Sequence, residues 1–158
     1  MTSISCGGAR PDPTVIPATA AWLGAGGLLP FIGLLIAPLA GAEPFGRPPV
    51  VVLGLYTAVI LSFMGAVHWG LAVAEFGGRR DASWRYALSV VPALLGWFAL
   101  AFLPLPVALR VIAGAFALLL LYDVRASRIG TAPPWYARLR WRLTAVVVPC
   151  VLAASVLA

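Results

Sequence analysis

Apolar side chains run along this chain in five long blocks, and the short stretches between them hold most of its charged and turn-forming residues. A helix that crosses a hydrocarbon core of about 30 Å needs about 20 mainly apolar residues. The blocks near 17–41, 49–75, 84–103, 105–122 and 139–158 reach or approach that length. Between the third and fourth stands only "LPLP" at 103–106, whose prolines end one helix and open the next, so a tight antiparallel hairpin is expected. The last block runs about 18 residues from Trp141, roughly 27 Å at 1.5 Å per residue, enough to reach the far interface. The pattern therefore predicts an all-α membrane protein, a single bundle of five transmembrane helices over 16–158. A disordered tail over 1–15 is expected ahead of it. That tail has no basic segment leading into a short apolar core, so no cleavable signal peptide is expected.

Composition supports the same class, because 62% of the residues are hydrophobic and only 10% are charged. A mean hydropathy of +1.00 lies well outside the range of soluble domains. The formal net charge of +6 would suggest nucleic acid in a soluble chain. Here the arginines fall between the apolar blocks, where membrane topology already accounts for them, and the expected contact is the lipid bilayer rather than nucleic acid. All eleven basic residues are arginine. Nine of them (Arg10, Arg79, Arg80, Arg85, Arg125, Arg128, Arg138, Arg140 and Arg142) fall on the side of the N-terminal tail, and two (Arg47 and Arg110) on the other. The bias predicts a cytoplasmic N-terminus and a C-terminus outside. Pro30, Pro92 and Pro149 interrupt the three odd-numbered spans, and each frees a carbonyl one turn earlier that needs another partner.

The second block carries the most information. Gly54, Ala58, Ser62, Ala66 and Gly70 recur every four residues, a small-xxx-small row that lets another helix approach closely and predicts a packing face or a dimer seam. The sole histidine, His68, falls at the edge of that row, facing protein rather than lipid. An ionisable group at that depth is expected to be neutral, partnered or near water. Four roles stay open for it: a packed structural group, a ligand or quinone contact, a proton relay or transport residue, and a metal or haem ligand. The last needs three or four convergent donors that this sequence does not supply, so neither a metal site nor a cofactor is expected. In the ligand reading, His68 bonds a head group, Trp69 walls the site, and Glu75 or Ser89 completes the polar contacts through water. Glu75 lies about 10 Å farther along the helix axis, too far for a direct ion pair.

The stretch "PPWYARLRWRL" at 133–143 combines proline, aromatics and arginines at the entry of the fifth span. Arg138, Arg140 and Arg142 read as a collar that attracts anionic lipid, with Arg138 and Arg142 sharing a face and Arg140 pointing away from it. The residues from Asp123 to Thr131 read as a polar loop in front of that collar.

Three stretches, "YTAVILSFMGAVHWG" (56–70), "WRYALSVVPALLGW" (84–97) and "PPWYARLRWRLT" (133–144), together resemble an uncharacterised family of small integral membrane proteins. This is the domain-of-unknown-function family that includes mitochondrial transmembrane protein 69. The resemblance implies a multi-span protein of the bacterial inner (cytoplasmic) membrane and supplies no catalytic residues. With no nucleophile–base pair, metal cluster or phosphate-binding glycine loop in view, the leading expectation is a non-catalytic accessory or assembly module for a larger, respiratory-type membrane complex. Its partner would be another membrane protein or a second copy. The alternative is a protein that binds a quinone or other amphiphile, or transports a proton or solute, through His68.

Overall fold

The computed structural model describes residues 12, 14–74 and 83–158, with the Ser83 side chain left out. Within them the chain is helical: α1 (Ala18–Gly26), α2 (Leu29–Ile36), α3 (Pro49–Ala74), α4 (Ser83–Phe102), α5 (Leu105–Arg128) and α6 (Pro134–Leu157). Among the described residues, five segments are long and apolar enough to cross a membrane: 18–40, which joins α1, α2 and a short 3-10 turn, and then α3, α4, α5 and α6. The protein is a multi-pass helical membrane protein.

The first span breaks where Gly27 and Pro30 predispose it to. Pro30 has no N–H to offer the preceding turn. The Tyr56 hydroxyl on α3 donates to the Gly27 carbonyl at 2.9 Å, so a side chain from the next span satisfies backbone that the break leaves open. Pro92 and Pro149, by contrast, lie inside continuous helices. The α4–α5 turn occupies Leu103 and Pro104, and α5 opens with Pro106 in its first turn.

The tightest pairs are α3 with α4 and α5 with α6, and α5 carries the most buried face. That face holds Leu109, Ile112, Phe116 and Leu119, a run at helical spacing that meets Leu53, Leu61, Phe31 and Val151 in one core.

The four-residue row on α3 does not form a continuous packing face. Gly54 is buried, Ala58 and Ser62 are half-buried, and Ala66 and Gly70 are exposed. A step of four residues overshoots a 3.6-residue turn by about 40°, so four such steps carry the row about 160° around the helix. Close approach instead falls at Gly65, where a Cβ would stand 2.7 Å from the Ser89 carbonyl oxygen and 2.9 Å from Pro92 Cγ. A Cβ at Gly70 would meet nothing within 4 Å.

The segment read from sequence as a loop after residue 122 is also helix. α5 continues through Asp123 to Arg128, and Asp123 is fully buried. Gly130, at φ +77°, ends it, because a left-handed residue there is free of the Cβ penalty. The Thr131 N–H and hydroxyl both return to the Ala126 carbonyl, and Pro133 and Pro134 then start α6. This tight connection sets α6 antiparallel to α5 and fixes which of its residues face Asp123.

A buried ionic cluster beside an apolar cavity

On α3 the buried positions Leu53, Thr57, Leu61, Gly65, His68 and Ala72 follow a helical spacing of three and four, so His68 belongs to the inward stripe. On α5, Asp123 stands three and four residues beyond Leu120 and Leu119 and continues the core face. On α6, Tyr136, Arg140, Thr144, Val147 and Val151 form the corresponding stripe. Three helices thus bring His68, Asp123 and Arg140 together, with 2%, 0% and 3% of their surfaces exposed. All three lie within about six residues of their helix ends, roughly 9 Å inside the bundle on the side of the 129–133 connection.

Asp123 is the hub. Its Oδ2 accepts from Arg140 Nε at 2.5 Å. His68 Nε2 lies 2.9 Å from Oδ1, an ion-pair distance without the alignment of a hydrogen bond. Arg140 Nη1 also donates to Met64 Sδ at 2.6 Å, and the His68 ring meets Tyr122 edge to face at a centroid distance of 4.7 Å. A buried guanidinium opposite a buried carboxylate is close to neutral as a pair, which is what makes two ions tolerable at this depth. Arginine suits the role because its fork serves the carboxylate on one side and leaves further N–H groups for other partners.

A cavity of about 470 Å³ lies beside the cluster, between the first span, α3 and α6. Its wall is nearly all apolar, with Leu23, Phe31, Val67 and Leu143 among the lining side chains. Tyr136, Arg140 and Thr144 line it as well. Each of these three has a buried polar atom with no hydrogen-bond partner among the described residues: the Tyr136 hydroxyl, Arg140 Nη2 and the Thr144 hydroxyl. An unsatisfied buried polar group costs about 1–3 kcal/mol, and these three atoms present almost no surface to the cavity.

The residues proposed from sequence are distributed differently. Trp69 is 50% exposed and stacks edge to face on Tyr86, on the outer surface. Ser89 is buried, and its hydroxyl donates to the Tyr86 carbonyl at 2.6 Å. Glu75 lies outside the described residues. His68 itself is not among the cavity-lining residues; it reaches that wall through Asp123 and Arg140. The arginine collar is also divided: Arg138 and Arg142 are exposed, Arg138 donating to the Thr14 carbonyl, whereas Arg140 turns inward, onto Asp123. The signal for Arg140 was its face, shared with Tyr136 and Thr144 rather than with Arg138 and Arg142. The signal for Asp123 was its register with Phe116, Leu119 and Leu120. Among the described residues no cluster of His, Cys, Asp and Glu could hold a metal ion.

These features define a class: a helical multi-pass membrane protein with an ionic cluster at one end of its core and an apolar cavity against it. The chain belongs to the family described as "Protein of unknown function (DUF3429)", which it matches over residues 16–156. It is similar to Transmembrane protein 69 of Xenopus tropicalis, 38% identical over 136 residues. That alignment covers 84% of this chain and 51% of the relative, so the chain spans about half the length of the curated relative it matches. No solved structure matches it.

Proposed function

We propose that this protein binds a membrane-soluble amphiphile in the cavity between its first span and α3 and α6. The observation that carries the reading is a cavity of about 470 Å³ with a nearly all apolar wall, lying beside the buried Asp123–Arg140 pair. Its volume falls within the roughly 300–1,000 Å³ of ordinary ligand pockets. The His68–Asp123 pair holds Arg140 in place and offsets its charge, so His68 is a positioning residue one step removed from the ligand. The test is mass spectrometry of small apolar molecules retained by protein purified in mild detergent, beside the cavity-filling variants Val67→Trp and Leu143→Trp. Wild type should retain such a molecule near one per chain, and the folded variants should lose it. Equal recovery from all three would end this reading.

A second reading, the accessory module, is supported by a different surface: Ala66 and Gly70 leave the end of the small-residue row uncovered. Native electrophoresis in mild detergent tests it, and a lone monomer in extracts of the source cells would count against it. For either reading we place the protein in a bacterial inner membrane; the nine-to-two division of arginines supports an orientation with the N-terminus in the cytoplasm.

A further inference from the structure

Resting on the cavity reading, we propose that the bound amphiphile is an anionic phospholipid, one acyl chain lying in the cavity and its phosphate meeting Arg138 and Arg142 outside it. Four observations carry this. The first is size. A methylene group fills about the space of a water molecule, roughly 30 Å³, so a cavity of about 470 Å³ takes about sixteen of them, a single acyl chain. A helix crossing the same depth, about 10 Å in diameter, needs several times that space. The second is depth. The lining runs on α6 from Trp135 to Val147 and on α3 from Leu71 to Ile60, about 17 Å at 1.5 Å per residue. Those stretches are the halves of the two spans on the side of the 129–133 connection, so the cavity is as deep as one leaflet, about 15 Å. The third is access. α1 buries none of its residues, and Leu23 and Phe63, both lining the cavity, are 73% and 62% exposed. The cavity therefore opens between the first span and α3 toward the surrounding hydrocarbon, and a chain of that leaflet enters without unfolding the bundle. Its wall gives a methylene chain dispersion contacts and gives a polar head almost nothing, so the head lies outside. The fourth is charge at that outer end. Arg138 and Arg142 are exposed, and each stands three residues beyond a lining residue, Trp135 and Leu139, on the adjoining strip of α6. Arg138 donates to the Thr14 carbonyl and so sits at the entry of the first span. Helical side chains lean toward the helix N-terminus, so Arg142 reaches back to the same interface, and both present the fork of N–H donors that suits a phosphate.

The experiment reconstitutes the full chain into vesicles of equal parts palmitoyl-oleoyl phosphatidylglycerol and palmitoyl-oleoyl phosphatidylcholine, which share their chains and differ in head-group charge. The protein is then extracted in mild detergent, and native mass spectrometry counts the lipids that stay bound. Wild type should keep one phospholipid per chain, the anionic lipid favoured about tenfold, the scale of two arginines at a membrane surface. Arg138→Gln with Arg142→Gln should bring that preference close to one and leave the melting temperature unchanged, since both side chains are exposed. Val67→Trp should abolish retention by filling the cavity, and Leu143→Trp takes its place if the first variant does not fold. One phospholipid per chain without preference for the anionic lipid, or a preference that survives in the double arginine variant, would overturn the proposal and leave the cavity reading standing. Retention of a fatty acid or another small apolar molecule in place of a phospholipid would do the same. A phospholipid held equally by a folded tryptophan variant, or no small molecule retained at all, would remove both the proposal and the cavity reading.

Discussion

Asp123 stands between two basic side chains, His68 and Arg140, so the cluster responds asymmetrically to substitution. Asp123→Ala leaves a buried guanidinium without its counter-ion and should cost about 3–5 kcal/mol, read as unfolding free energy in mixed micelles. Removing both ions with Asp123→Leu and Arg140→Met should recover most of that loss, since a well-packed apolar pair of similar size often replaces a buried ion pair at little cost. A double variant as unstable as Asp123→Ala would show that the pair does more than balance charge. His68 sits beside Oδ1 rather than in line with it, so its contribution is smaller. His68→Gln, which keeps a donor, should remain near wild type, while His68→Leu should cost about 1–3 kcal/mol by leaving Oδ1 against an apolar group. If the two substitutions prove equally harmless, His68 does not support the carboxylate.

At the level of elements, close approach of α3 and α4 depends on Gly65, not on the far end of the four-residue row. Gly65→Ala forces its Cβ against the Ser89 carbonyl and should destabilise by about 1–3 kcal/mol, whereas Gly70→Ala should stay within about 0.5 kcal/mol of wild type. Melting temperatures in detergent decide the order, and a more damaging Gly70 change would mean that another helix packs there in the intact membrane. Gly130→Ala tests the α5–α6 connection. Its left-handed backbone should make the change cost about 1 kcal/mol, with the Arg140–Asp123 register loosened along with it.

Across the whole molecule, the ionic cluster and Gly130 lie at the same end of the bundle as Arg125, Arg128, Arg138 and Arg142. In the orientation proposed above, that end faces the cytoplasm. A reporter active only in the cytoplasm should be silent when fused after Ala158 and active when fused at Thr131. The reverse pattern would invert the orientation and place the ionic cluster toward the outer interface.

What the sequence determined by itself was the membrane class and its five spans, because hydrophobic run length is a local quantity that the bilayer thickness converts directly into helices. It also marked His68 as inward-facing, since angular position on one helix follows from residue number. What only the tertiary structure decided was which residues share a site. Asp123, Arg140 and His68 are separated along the chain by 55 and 17 residues and come together through the turn at Gly130 and the packing of three helices. A charged residue near a helix end looks the same in sequence whether it snorkels to lipid or turns into the core. The side it takes depends on whether an opposite charge waits there, and that is fixed by the rotation of neighbouring helices rather than by the residue's own segment.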